Sequence, residues 1–513
     1  MLVGMQLFAT TLLRAQTVSR IPATSGLDIA DVIRTTLATS VAIRRSLERK
    51  HVRESELQTA RGAFDLTIGF SISTDRNSTL FDRAQEEIYG TPAVSARTTA
   101  YRLSAAREFK SGATITPSIE VVRHDVMAPA APPFIQTQAG LSISYPVLRA
   151  GRATSNAKMV AASTLRLEAS DYDVRHTRAA SLLRAIDAYW NYLEAYEALE
   201  IRSDSERKAE RLLHETRSLV DGGERASSDL DQLHADLADR FAERLRAEHD
   251  LYEARQFLGM EMGLTDEQAS VLPPPVTAFP QGSAASLIDF SDELLARAYQ
   301  RRHDLAEVNK EADASRKALD ARQIETMPSL LVRVHMGYAA RTEDQLTIAH
   351  HLSPFGRNDV RRPNTSLTFV LEWPTTNNRA RGARAREEAI LRQLRIDEQD
   401  LRRQIASGIK VAVTQLRTSA NELVKTKEAV GLYQVAVESE KKRLQLGMST
   451  QFDLVLVEER LRNTMLSRLA AEVRHARSVT RLLYETGTLP ATEPATWPED
   501  SIDELLLSPA TLE

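Results

Sequence analysis

The stretch Arg379 to Glu485 constrains the fold more than any other part of the chain. It lies in a proline-free run bounded by Pro374 and Pro490, and apolar residues recur every seven positions through it: Ile409, Leu416, Leu423, Val430, Val437 and Leu444. Six consecutive hits at one heptad position, with Lys, Glu and Gln between them, predict a long helix buried along a narrow seam. At about 1.5 Å per residue, the roughly 68 residues before Gly447 would reach about 100 Å. A helix of that length is not the element of a compact globular domain. A charged-flanked seam of this kind also implies lateral partners. The run breaks at Leu446-Gly447-Met448-Ser449-Thr450-Gln451-Phe452-Asp453. Gly447 gives the backbone a way out of the helix, and Ser449 or Thr450 can cap the next one.

The same arrangement occurs earlier. Arg152 to Leu264 is also proline-free and is broken at Asp221-Gly222-Gly223-Glu224. Gly223 is followed six positions later by Asp229-Leu230, and Gly447 six positions later by Asp453-Leu454. Each long arm follows a short alternating segment ending in proline, at Pro146 and Pro374. From that proline to the turn glycine is 77 residues in one half and 73 in the other. The chain is therefore an internal duplication with a period of about 225 residues, too long for a stacked solenoid. The first repeat spans 27–272, with helices expected over 152–220 and 228–263. The second spans 286–486, with helices over 379–446 and 452–486. Residues 273–285 form a Pro-rich linker, 1–26 a leader or signal segment, and 487–513 an irregular tail. The leader fits a signal peptide incompletely: Leu2 to Leu13 is apolar, but no basic residue precedes it.

Before each long arm the period changes from helical to two. Phe64, Leu66, Ile68, Phe70 and Ile72 alternate with polar or small residues, and a polar loop is expected over Asn77–Arg97. A hairpin follows over Ala100–Arg123, turning at Lys110-Ser111-Gly112, and a Pro/Ala-rich loop, Met127–Pro133, leads to the strand ending at Pro146. In the second half, helix from about Ser286 to Glu325 precedes a strand over Leu330–Tyr338, a polar loop over Ala340–Pro363 and a strand ending at Trp373. Segments of nine to eleven alternating residues joined by long polar loops are the mark of a transmembrane β-barrel. A soluble antiparallel sheet with one face on a core alternates in the same way. Arg333, His335 and Glu372 on one face suit a wet lumen, and the neighbouring helices are too long to cover a small sheet.

Composition excludes several classes. Of 513 residues only 20 are Gly and 19 Pro, 27% are charged and 5% aromatic, closer to long-helix proteins than to an enzyme with a packed α/β core. A net charge of −4 gives no broad attraction to nucleic acid. The absence of cysteine rules out disulfides, thiolate metal sites, cysteine nucleophiles and a lipidated N-terminal cysteine. No apolar run of 18 residues exists, so no helical membrane span is expected. There is no phosphate loop, no paired His on one helix face and no nucleophile elbow. No catalytic, metal or cofactor site is expected. His350-His351 lacks a spaced carboxylate or third ligand. Tyr189, Trp190, Tyr192 and Tyr196 read as packing between helices rather than a ligand box. Arg379, Arg381, Arg384 and Arg386 read either as a solvated helix start or as a contact to anionic headgroups.

Taken together, the chain resembles the TolC-like outer-membrane efflux proteins over about Leu27 to Gly487. The resemblance is carried by the duplication, by the passages Tyr145-Pro146 to Gly151-Arg152 and Trp373-Pro374, and by the two Gly-(five residues)-Asp-Leu turns. Arg301-Arg302-His303-Asp304-Leu305, leading to Met327-Pro328, looks like the family's Arg-Pro-Asp-Leu helix, with His303 where proline is usual. The fold implied is mainly α with membrane β: a long α-helical barrel of coiled-coil-like pairs plus a transmembrane β-barrel completed by trimerisation, with four strands from each chain. The function implied is a passive exit duct of a tripartite efflux or type I secretion system, working with a periplasmic adaptor and an inner-membrane transporter. By the same resemblance, the turns Asp221-Gly222-Gly223-Glu224 and Gly447-Met448-Ser449-Thr450 would lie at the periplasmic tip and dock the adaptor. Asp229 and Asp453 would ring the axis there as a gate, although both also read as first-turn acids favoured by a helix dipole. The hairpin over Ala100–Arg123 departs from the family's simplest pattern and leaves open whether it joins the barrel or stands outside the membrane. A soluble or periplasmic coiled-coil scaffold is the rival reading; it accounts for the helices but less well for the matched strands and turns.

Overall fold

The computed structural model describes residues 26–127, 133–150, 154–223, 226–280, 292–342 and 362–489. The chain divides into two compact units. One contains the described residues up to Lys50, Ser170–Glu307 and those from Glu398 onward; the other contains His51–Ala169 and Val308–Asp397. Each unit draws on both sequence repeats.

In chain order the helices are α1 (Ile29–Thr39), α2 (Val41–Arg61), α3 (Arg83–Tyr89), α4 (Val147–Ala150), α5 (Ser155–Asp221), α6 (Ser228–Met262), α7 (Asp266–Ser270), α8 (Asp292–Arg301), α9 (His303–Glu325), α10 (Asn378–Gln445) and α11 (Gln451–Glu485). The two repeats contribute matched pairs, α5 and α6 of 67 and 35 residues, and α10 and α11 of 68 and 35.

In the first unit the α10 seam is closed by the chain itself. Ile409, Leu416, Leu423, Val430 and Val437 are all at most 4% exposed. Ser419 of α10 meets Ser478 and His475 of α11, and Arg474 of α11 pairs with Glu422 at 2.6 Å. The expectation that this seam needs lateral partners is therefore corrected. A second antiparallel helix of the same chain supplies the facing holes. The apolar residues of α10 that remain exposed here are others, among them Val411, Val424, Leu432 and Val435. The same unit holds the aromatic cluster. Tyr189, Trp190 and Tyr192 are essentially fully buried. The Tyr189 hydroxyl donates to Leu27 O and Thr277 Oγ1, and the Tyr192 hydroxyl to Pro273 O, so these rings tie the N-terminal segment and the post-α7 segment to α5. This is packing, as their spacing suggested, with both tyrosine hydroxyls bonded and the Trp190 Nε1 buried without a hydrogen-bond partner among the described residues.

The second unit is built on one antiparallel sheet of six strands in chain order: β1 (Thr67–Leu80), β2 (Ala93–Glu108), β3 (Thr114–Met127), β4 (Phe134–Pro146), β5 (Ser329–Thr342) and β6 (Arg362–Glu372). Two sequence expectations change here, and the hairpin, whose place the sequence left open, is found within the sheet. The start at Phe64 is wrong, because Gly62–Phe64 is a 3-10 turn and the strand begins at Thr67. The polar loop over 77–97 is instead the end of β1, the capped helix α3 and the start of β2. Polar residues occupy both faces there, so no apolar alternation marks the strands, while hydroxyl pairs such as Ser78–Ser95 at 2.9 Å bridge them. The hairpin over 100–123 is not separate. It consists of parts of β2 and β3, and it pairs with β1 on one side and β4 on the other.

Candidate functional site

Alternation gives the sheet two chemically distinct faces. On one, the strand register aligns Phe70, Leu103, Ile119, Ala139 and Tyr338, with Ile143, Val334 and Leu367 forming another row. These side chains are largely uncovered; Ile68, Phe70, Leu367 and Phe369 are each 60–68% exposed. On the other face the corresponding row is Gly69, Ser104, Ser118, Gly140, Gly337 and Asn364. Arg102 Nη2 donates to Glu120 Oε1 at 2.8 Å, Ser142 Oγ meets His335 Nδ1 at 3.0 Å, and Arg333 Nε donates to Ser144 Oγ at 3.3 Å. A Cβ on Gly140 would lie 2.5 Å from His335 Cε1, so the two glycines leave room for the imidazole on the polar face. Among the described residues no hydrophobic layer covers an apolar face of this width, and water is a poor solvent for it. The two faces suit two different solvents, one oily and one aqueous.

The strand-to-helix passages lie at one rim of the sheet. Pro146 is the last residue of β4 and leads straight into α4. Thr154 then caps α5, its Oγ1 accepting from Ala157 N at 3.2 Å. Gly151 and Arg152 fall outside the described residues. Pro374 is exposed just past β6, and Asn377, at φ 44°, turns the chain into α10 while its Nδ2 donates to Thr326 O at 3.2 Å. The β2–β3 turn is seated against the first passage. Gly112 has φ 91°, and a Cβ there would meet Thr154 Cγ2 at 2.8 Å. Nearby, Asn156 Nδ2 donates to Glu108 at 3.1 Å. Among the basic run, Arg379, Arg381, Arg384 and Arg386 are all exposed, with Arg384 bound to Glu388 at 2.8 Å.

In the other unit the two helical turns are neighbours. Gln451 Nε2, at the start of α11, donates to Thr216 Oγ1 near the end of α5 at 2.7 Å. Gly223 and Gly447 adopt φ 76° and 70°, left-handed values that explain glycine at both breaks. Asp221 ends α5, followed by Gly222 in the turn; Glu224 lies outside the described residues. After α10 come Gly447 and the exposed Met448. Ser449 hydrogen-bonds Glu440, and Thr450 N-caps α11. Asp453 closes a capping box: its carboxylate accepts from Thr450 Oγ1 at 2.6 Å and Thr450 N at 3.0 Å, and it receives a weaker contact from Ser449. The side-chain hydrogen bond from Thr450, helped by the Thr450 backbone, holds its pKa below the usual carboxylate value. The matching Asp229 sits in the first turn of α6, where Ser227 forms no side-chain cap. The repeats are thus alike in path and unlike in capping.

One constellation extends a sequence motif to a residue the sequence did not connect with it. Arg302, in the break between α8 and α9, donates to Asp304 at 2.6 and 3.1 Å and to Glu485, at the end of α11, at 2.5 Å. Its guanidinium also lies 5.2 Å from the Tyr484 ring. Nothing in the spacing connects Arg302 with Glu485, 183 residues away. His303 opens α9, the helical position at which proline is best tolerated and at which a histidine serves equally.

His350-His351 lies outside the described residues, and among those described no group of His, Cys, Asp or Glu could hold a metal ion. No described helix is long and apolar enough to cross a membrane.

No family model matches the chain, and no curated protein matches its sequence. Solved structures do. The CmeC outer membrane channel of Campylobacter jejuni superposes with a TM-score of 0.64 at 14% identity, covering 94% of this chain and 90% of that one. The chain has the fold of the TolC-like outer-membrane channels. The outer membrane protein VceC of Vibrio cholerae matches with a TM-score of 0.63 at 17% identity, over 90% of this chain and 96% of that one. The open-state MtrE outer membrane channel of Neisseria gonorrhoeae gives 0.60 at 13% identity, over 91% and 90%. Near-complete coverage in both directions means that this TolC-like fold accounts for the helical pairs and the sheet together.

Proposed function

We propose that this chain is an outer-membrane exit duct of a tripartite efflux or type I secretion system, passive in itself and not an enzyme. The observation that carries the reading is the two-faced sheet whose outer edges are unpaired among the described residues, in a chain that shares the fold of outer-membrane channels over 90–94% of its length. An edge strand in hydrocarbon leaves its N–H and C=O groups without partners, so the sheet must close on copies of itself. Three copies would do so, with the sheet in the outer membrane of a Gram-negative-type cell and the helical pairs forming the periplasmic duct. The turns around Gly223 and Gly447 would meet a periplasmic adaptor that links the duct to an inner-membrane transporter. Asp229 and Asp453 would line the narrowest point and favour cations. The exposed arginines at the start of α10 fit anionic headgroups near the inner rim.

Fractionation of cells expressing the full chain tests this reading. An outer-membrane protein that needs detergent and sizes as three 57.1 kDa chains is the expected result. A soluble monomer or dimer would return the strands to an ordinary sheet and make a periplasmic scaffold the better description.

A further inference from the structure

We infer that all six strands of each copy belong to the membrane barrel, and that β1 of one copy pairs with β6 of the next to close eighteen strands from three copies. The inference rests on the outer-membrane reading above. It departs from the four strands per chain that the family resemblance implies.

The sheet is already cut to the shape of a barrel segment. Along the row Gly69, Ser104, Ser118, Gly140, Gly337 and Asn364, the distance to the rim that bears Thr67 and Glu372 grows steadily. Gly69 is two residues from its strand end, Ser104 and Ser118 four, Gly140 six, and Gly337 and Asn364 eight. A stagger of six residues, roughly 20 Å along the strands, builds up over five steps totalling roughly 24 Å across them. The resulting slant is about 40° within one copy and about 35° once a level closing step is included, at the lower end of the 35–45° range that closed barrels require. β2 and β3 carry their share of this stagger, so the hairpin is part of the slanted sheet and not an appendage to it. Gly112 seated against Thr154 and Asn156 bound to Glu108 fix the hairpin turn at the rim of the Pro146 passage.

The edges are complementary. β1 leaves that rim and β6 returns to it, so neighbouring copies present antiparallel edges to each other. Setting Thr67 level with Glu372 aligns the two strand ends. That register places Ile68 opposite Leu371, Phe70 opposite Phe369 and Ile72 opposite Leu367 on the apolar face. Ser71 then faces Thr368, and Ser73 faces Ser366, on the polar face. A shift by one residue would put every one of these side chains on the wrong side. Because barrel diameter grows roughly linearly with strand number, the lumen would be about half as wide again as that of a twelve-stranded barrel.

The chain has no cysteine, so introduced thiols report cleanly. In full-length protein carrying Ser71→Cys and Thr368→Cys together, oxidation in the membrane should give a ladder of covalent dimer and trimer that neither single variant gives. Spin labels at single cysteines replacing Leu103 or Ile119 should collide with lipid-phase oxygen. Labels replacing Ser104 or Ser118 should collide with an aqueous nickel complex. Water-accessible labels at all four positions, in a protein that still extracts as a trimer, would place the hairpin outside the membrane and overturn the inference while leaving the duct intact. A detergent-extracted trimer without the cross-link would overturn the closing register. A protein that is soluble without detergent would remove the duct reading itself.

Discussion

Removing the Arg302 guanidinium should destabilise the helical unit more than any exposed ion-pair change. The side chains of Arg302, Asp304 and Glu485 are only 9%, 12% and 5% exposed. Burial alone would raise the Asp304 pKa, but the hydrogen bonds and charge of Arg302 outweigh it and hold the carboxyl below its ordinary range. Arg302→Ala leaves Asp304 with Leu305 N at 2.9 Å and Glu485 with Arg481 at 2.6 Å, and no cation between them. Stranding a buried charge in this way costs about 3–5 kcal/mol, whereas exposed pairs are worth about 0–1 kcal/mol. At a few degrees per kcal/mol, the melting temperature of detergent-extracted protein should fall by about 10 °C. Adding Asp304→Asn should recover part of the loss, because Asp304 loses its ion pair with Arg302 whereas Glu485 keeps Arg481. The pH dependence fixes the cause. A carboxylate whose folded pKa is depressed contributes stability above its unfolded value near 4 and loses it as pH falls through the folded value. The gap between parent and Arg302→Ala should therefore be full at pH 7 and shrink towards pH 3. A melting temperature within about 2 °C of the parent, or a gap unchanged at pH 3, would refute the argument.

Three further outcomes are expected. Burial, opposed by Arg477 and Arg481, raises the pKa of Asp187 to about 6, and its Oδ1 has no hydrogen-bond partner among the described residues. Its ionised form opposes folding, so stability is highest below about pH 4 and falls as pH rises to about 6. Asp187→Asn should match the parent near pH 4 and melt higher at pH 7, by the equivalent of about 3 kcal/mol; a pH-independent difference would contradict this. Asp453→Asn keeps an acceptor for the capping box while removing the charge, so in planar bilayers it should lower cation selectivity without loosening α11. Unchanged selectivity would reduce Asp453 to its capping role. Gly112→Ala must place a Cβ 2.8 Å from Thr154 Cγ2 at a φ of 91°, costing on the order of 1–3 kcal/mol, and should slow appearance of the folded protein in the membrane fraction. Wild-type membrane yield would sink that account.

The helices were readable because their signal is periodic and local. One heptad position repeated through Ile409 to Leu444 and two glycine breaks located four long arms and both turns. What the seam packs against was not local, and the expected partner chains gave way to α11 of the same chain. The strands were readable only where one face is apolar, as in Ile68, Phe70 and Ile72. Beyond Ser73 both faces of β1 are polar, the alternation disappears, and the rest of the strand reads as loop. The capping of α11 could be anticipated from Thr450 and Asp453 at capping-box spacing. The Arg302–Asp304–Glu485 network could not, since no rule of spacing joins residues that only the folded helices bring together.

The β2–β3 hairpin adds one strand leaving the Pro146 rim and one returning to it. That parity lets β4 still finish at Pro146 and pass directly into α4 and α5, as it would without the hairpin. A single added strand would deliver the chain to the far rim, away from α4 and α5. Sheets of this topology can therefore widen only in pairs of strands, and a ring of three copies only in increments of six. Pore bore in such a family would be a stepped quantity, set by how many hairpins precede the first long helix and leaving the helices themselves unaltered.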